Sequence, residues 1–213
     1  FEYLDQYQKE IDKAVTQGHL KLLSEQQKEE LKVKPHNFSN HSVVFNEKST
    51  TTSVRLVNNS SYRNKLALNS FNSSNHIPKH CVNNLLFLAL QFQFYPHAIA
   101  CDFSNAYRSI HVSELDSRLR LLVWFSEPKR LGFEKRVEIY SRSRADYGDA
   151  SAGTLLEIAR REFAAPRCKL QMSKFLLADG CYVDDLLGSF KTPEEYDEVS
   201  KDIRQASEKV GLN

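Results

Sequence analysis

The sequence predicts an α+β fold in which helices and antiparallel strands are mixed along the chain. Three observations predict it. Leu4, Tyr7, Ile11 and Val15 recur at helical spacing near the start. Val43-Val44-Phe45 and Ser53 to Val57 are strand-like runs joined by the polar Lys48-Ser49-Thr50-Thr51-Thr52, which reads as a hairpin. A helical pattern over Ser151 to Ala165 is followed by an apolar run, Phe175 to Phe190, interrupted by a polar bend.

Taken in order, the first helix is closed by Gly18 as a C-cap, and a short polar helix over Ser24 to Leu31 is capped by Ser24 with Gln27 and ended by Pro35. The hairpin occupies residues 42 to 57. Residues 58 to 80, rich in Asn and Ser, read as loop. Cys81 to Phe94 is apolar nearly all round and predicts a buried helix; Pro96 separates it from a strand reaching Asp102. Arg120 to Phe125 and Val137 to Ser141 read as strands flanking a charged turn with Pro128. The 151–165 helix is capped by Thr154 with Glu157 and stopped by Pro166. Phe175 to Phe190 predicts a hairpin with Asp184 near its bend, and Pro193 to Val210 a surface helix dense in Glu and Lys.

The 213 residues suffice for one large domain or two small lobes. A net charge of +2 excludes a polybasic, histone-like binder, so any nucleic-acid affinity must come from charge gathered on one face. Cys81, Cys101, Cys168 and Cys181 lack zinc-ligand spacing, which argues against a structural metal and a disulfide framework. Cys101 and Cys181 read as reduced core residues of an intracellular protein. No apolar run approaches the roughly eighteen residues that cross a bilayer, so no membrane partner is expected. Phe1-Glu2-Tyr3-Leu4-Asp5 is too charged for a signal peptide, and the chain is expected to be a piece of a longer polypeptide.

The chemistry-bearing stretch is Cys181-Tyr182-Val183-Asp184-Asp185-Leu186-Leu187-Gly188. Adjacent carboxylates in an apolar run are costly unless a cation neutralises them. Asp102 ends another apolar run, His97 to Cys101. Three acids from two strands make an oxygen-ligand set for Mg²⁺, the ion of phosphoryl transfer. The bland alternative is a solvated turn with surface aspartates. Tyr107, five residues after Asp102, is either a sugar-facing ring that excludes a 2′-hydroxyl or a core aromatic. Lys48 and Arg55 are either triphosphate contacts or ordinary strand charges. Tyr147-Gly148-Asp149-Ala150-Ser151 offers small residues that let a base pair approach the backbone, or a simple helix cap. Arg142, Arg144, Arg160 and Arg161 are candidate phosphate contacts against a background of solvated arginines.

In this order, the Lys…Arg hairpin, Asp-x-x-x-x-Tyr, Tyr-Gly-x-x-Ser and Tyr-Val-Asp-Asp together resemble the fingers and palm of a reverse transcriptase across essentially the whole chain. Pro35-His36-Asn37, Val43 to Thr51, Val54-Arg55-Leu56-Val57 and Ala106-Tyr107-Arg108 resemble the BEL/Pao class of long-terminal-repeat retrotransposons. The resemblance implies a palm of antiparallel sheet backed by helices (about 80–112 and 146–213), fingers over about 1–79 and 113–145, and no thumb. It implies Asp102, Asp184 and Asp185 as catalytic ligands of two Mg²⁺ ions, with Mn²⁺ able to substitute. Lys48, Arg55, Phe103, Tyr107, Tyr147, Gly148 and Ser151 would bind the nucleotide. Its partners would be an RNA template, a DNA primer, a deoxynucleoside triphosphate and further Pol segments (thumb, ribonuclease H, integrase), in a cytoplasmic virus-like particle or the nucleus.

The chain departs from that pattern at Asn58-Asn59, where an acid is usual, at Ala152-Gly153, where a proline commonly follows the motif serine, and at Asp149, whose charge would repel a triphosphate unless it faces away. The resulting expectation is an RNA-directed DNA polymerase core. The rival is an inactive reverse-transcriptase-like fold serving as a nucleic-acid-binding or structural subunit. A palm-fold nucleotide cyclase lacks a visible purine-binding loop.

Overall fold

The computed structural model describes residues 2–45, 54–61, 83–126 and 137–212. Along the chain these form α1 (Glu2–Thr16), β1 (Leu20–Leu22), α2 (Glu25–Glu30), β2 (Asn40–Phe45), β3 (Val54–Asn59), α3 (Leu85–Phe92), β4 (His97–Asp102), α4 (Glu114–Ser117), β5 (Leu121–Phe125), β6 (Val137–Arg142), α5 (Ala152–Ile158), α6 (Gln171–Asp179), β7 (Cys181–Tyr182), β8 (Asp185–Phe190) and α7 (Pro193–Glu208). The chain is α+β, all its sheets are antiparallel among the described residues, and it divides into two compact units, residues 1–73 with 111–150 and residues 74–110 with 151–213.

In the first unit, α1 ends in a Schellman arrangement: Gly18 takes φ +70°, its N–H donates to Val15, and the His19 N–H donates to Ala14. The Ser24–Gln27 capping box opens α2. Strands β1, β6 and β5 form one sheet, and β2 pairs with β3 along Asn40 to Phe45 against Asn59 to Val54. The core gathers Ile11, Ala14, Leu20, Leu56, Leu122, Trp124 and Tyr140; Tyr7 stacks on Trp124 at 4.2 Å between centroids, and the Trp124 indole N–H donates to Gln8. Asn58 and Asn59, expected in a loop, lie in β3, because they complete the ladder with His41 and Asn40.

In the second unit β8 is central, with β4 and β7 on either side. Beneath the sheet pack Leu156 of α5, Leu176 and Leu177 of α6, and Val199, Ile203 and Ala206 of α7. Three expectations fail here. Phe175 to Asp179 is helix, so the hairpin begins only at Cys181; Leu176 and Leu177 are helical core residues. Thr154 does not cap α5: Ser151 holds the N-cap position without a side-chain bond, and after Ile158 the helix widens into a π turn and a 3₁₀ turn that accommodates Pro166. The apolar helix α3 buries only Leu88; Leu85, Leu86, Phe87 and Leu90 are exposed, because the helix packs on β8 and β7 along one face. Cys101 is exposed although it is part of β4; Cys168 and Cys181 are buried.

Candidate functional site

The antiparallel register of β4 and β8 pairs Cys101 with Leu186 and Asp102 with Asp185, so two of the three acids are direct cross-strand neighbours. Such neighbours have Cβ atoms about 4.5–5.5 Å apart. Asp184 lies in the two-residue loop between Tyr182 and Asp185, and its carbonyl accepts from the Phe103 N–H at 3.3 Å. That bond ties the tip of the β7–β8 hairpin to the residue following Asp102. Val183, the first loop residue, takes φ +57° while Asp184 does not have positive φ, the sign pattern of a type II′ turn. A β-branched residue in that region stores about 1–3 kcal/mol of strain.

Partial burial raises the Asp102 pKa, and the neighbouring Asp184 and Asp185 carboxylates raise it further; the Phe103 N–H opposes them. Burial likewise raises Cys101, with Asp102 and Asp185 adding to it. A cation beside the three carboxylates would relieve this repulsion, and carboxylate oxygens are the donors that a hard divalent cation takes. The donor chemistry therefore fits Mg²⁺. Among the described residues, however, no three His, Cys, Asp or Glu side chains are closed into a ligand cluster. Asp102, Asp184 and Asp185 meet at one end of the β4–β8 ladder.

The remaining expected residues fall in different places. In the acid-bearing unit, the Phe103 ring is buried in the core, and its backbone N–H faces the Asp184 carbonyl. Asn105, left-handed at φ +51°, turns the chain into the 3₁₀ turn Ala106–Ser109, which leaves Tyr107 half-buried against the same core. Ser151 sits at the start of α5. Arg55, Tyr147 and Gly148 belong to the other unit. Arg55 is exposed on β3 opposite Val44, and Tyr147 is exposed beside Gly148 at φ +95°. Lys48 lies outside the described residues.

The candidate phosphate-binding arginines are largely spent on internal acids. Arg142 is buried and bonds Asp149, Ser39 and the Arg120 carbonyl; burial lowers its pKa, against the pull of Asp149 and Asp146. Arg160 is fully buried and bonds Glu157 and the Leu177 carbonyl, while Arg161 pairs with Glu157 and Asp179 and donates to Asn83. Asp149 proves to face inward, paired with Arg120 and Arg142. Glu157, three and four residues before Arg160 and Arg161, was a local signal of their pairing, whereas the Ser39 and Arg120 contacts of Arg142 lie far away in the chain.

The chain is thus α+β, with antiparallel sheets and two acids paired across the ends of two strands. No family model matches the chain, and no curated protein matches its sequence. In structure it is similar to the prototype foamy virus protease-reverse transcriptase (the crystal structure of a selenomethionine-labelled CSH mutant), with a TM-score of 0.62 at 17% identity. The match covers 99% of this chain and 23% of that one. The fold is reverse-transcriptase-like, and the chain spans about a quarter of the solved protein.

Proposed function

We propose that this chain is the fingers–palm core of an RNA-directed DNA polymerase from a BEL/Pao-like retroelement. The observation that carries the reading is the Asp102–Asp185 cross-strand pair with Asp184 at the adjoining turn, in a fold similar to a reverse transcriptase. Asp102 and Asp184 would hold two Mg²⁺ ions, and Asp185 would serve as an outer ligand. Bound there, the ions would acidify the primer 3′-hydroxyl and stabilise charge on the departing pyrophosphate. Arg55 would grip the triphosphate with Lys48, and Tyr107 would close the space that a 2′-hydroxyl needs. RNA template, DNA primer and further Pol segments complete the system in this reading, in a virus-like particle or the nucleus.

The departures at Asn58-Asn59 and Asp149 favour a second reading, an inactive relative that retains the fold for nucleic-acid binding. One experiment separates the two. The chain fused to a reverse-transcriptase thumb is given a primed RNA template, deoxynucleotides and Mg²⁺, beside its Asp184→Asn counterpart. Extension by the parent alone supports the polymerase. Extension by neither, with template still retained, supports the second reading.

A further inference from the structure

Four ionised side chains converge in the interior of the first unit with no part in the acid site: Arg120, Arg142, Asp146 and Asp149, all buried. The Asp149 carboxylate accepts from Arg120, from Arg142 at 3.5 Å, from the Ser60 hydroxyl at 2.6 Å and from the Asp146 N–H at 3.2 Å. Asp146 accepts from the Asn58 amide at 2.5 Å and from the Tyr147 N–H at 2.9 Å. Two guanidinium groups thus face two carboxylates, and every buried charge in the set is matched. The turn they enclose is tight: a Cβ on Gly148 would stand 2.3 Å from the Asn58 carbonyl oxygen.

We propose that Arg120, Asp149 and Arg142, closed by Asp146 and Asn58, form a charge-balanced positioning frame that fixes the Tyr147–Gly148 turn against β3 and so sets where Tyr147 meets the incoming deoxynucleoside triphosphate. The inference rests on the polymerase reading for the identity of that ligand. It accounts for two departures at once. An acid at position 58 would confront Asp146 and leave one buried negative charge unmatched, a costly state; Asn58 donates instead. Asp149 is tolerated near a nucleotide because both its oxygens are engaged inward. These five are positioning residues, not catalytic ones.

The test is charge exchange. Asn58→Asp adds one negative charge to the frame and Asp149→Asn removes one, so each single variant is unbalanced while the double variant is balanced again. With 3-fluorotyrosine placed at position 147, the parent gives one ¹⁹F line; each single variant should shift or split it, and the double variant should restore it. In primer extension each single variant should raise the deoxynucleotide KM about tenfold with kcat nearly unchanged, as expected for a misplaced binding group, and the double variant should recover most of it. Ser60→Ala, which leaves the charges matched and removes one hydrogen bond, should give a smaller line shift and guards against single variants that do not fold. The proposal is overturned if the variants, Ser60→Ala included, move only the thermal midpoint and leave the ¹⁹F line in place, or if the double variant is as displaced as the two singles combined. A parent that extends nothing would defeat the polymerase reading, while the ¹⁹F line would still decide whether the frame holds the turn.

Discussion

Asp102 and Asp185 face each other across the β4–β8 ladder, at the end where both strands meet the Val183-Asp184 turn. Like charges directly opposite in a sheet oppose folding, on the scale of about 0.2–1 kcal/mol for a cross-strand pair. The fold nevertheless keeps them together, and the Asp102 pKa is raised, first by partial burial and then by the Asp184 and Asp185 carboxylates. Under the proposed function, a divalent cation bound by these carboxylates would offset that cost.

Removing one charge should therefore stabilise the metal-free protein. Asp102→Asn is expected to raise the thermal midpoint at pH 7 by about 1–4 °C for a chain of this size. The pH dependence follows from the sign of the shift. Because the folded-state pKa is raised, the native state binds the proton more tightly, and the parent loses stability as pH rises from the unfolded carboxylate value through the folded one. Scanning calorimetry between pH 3 and 7 should show that loss reduced in Asp102→Asn. Adding Mg²⁺ should stabilise the parent more than the variant, and extension should fall roughly a thousandfold if the ligand supplies several kcal/mol. Equal Mg²⁺ responses would remove Asp102 from the site.

Much of this was legible in the residues. The capping box of α2, the Gly18 stop, the β2–β3 pairing and the Asp184 bend all depend on neighbours a few positions apart, and local chemistry decides them. What failed depended on distant partners. The Phe175 to Leu177 segment is apolar enough for either a strand or a helix, and packing beneath β8 chose the helix. The inward engagement of Asp149 needed Arg120 and Arg142 to arrive on separate strand ends, which spacing alone does not reveal.

Val183 offers a test of stored strain. Glycine reaches positive φ without the Cβ clash, so Val183→Gly should relieve about 1–2 kcal/mol, partly offset by its greater freedom in the unfolded chain. The expected net effect is a urea midpoint equal to or higher than that of the parent, with an unchanged slope. A clear loss of stability would mean that Val183 contributes packing worth more than its backbone costs.

Asp202 acts in the opposite electrostatic sense to Asp102. From α7 its carboxylate accepts the Lys169 and Leu170 N–H groups at the start of α6, at 2.9–3.1 Å. Burial works against the charged form, but the Leu170 and Lys169 bonds, with Ser173 and the Lys169 charge, outweigh it and hold the pKa below the usual carboxylate range. The sign check gives stability present above the unfolded value, near 3.9, and lost as pH falls through the lowered folded value. Asp202→Ala should cost about 1.5–3 kcal/mol at neutral pH, the range for hydrogen bonds to a charged group. Its acid unfolding should be shallower than the parent's in circular dichroism; parallel acid transitions would refute the role.

Gly188 separates the integrity of the sheet from its chemistry. It lies on β8 opposite Ile99, three residues beyond Asp185, and a Cβ there would meet Leu176 Cδ2 at 2.8 Å, Leu176 Cδ1 at 3.2 Å and Ile99 Cγ2 at 3.3 Å. Leu176 is almost wholly buried and cannot swing into solvent, so Gly188→Ala must push α6 or distort the ladder. Overpacking of this kind costs about 1–3 kcal/mol, which equilibrium urea denaturation would read as a lowered midpoint. Leu176→Ala vacates the space that the new methyl group needs. The double variant should therefore be less destabilised than the two single effects combined, by about 0.5–3 kcal/mol of coupling. Strict additivity would show that the two side chains do not meet, and that the β8–α6 contact supporting the Asp102–Asp185 register is not the one described.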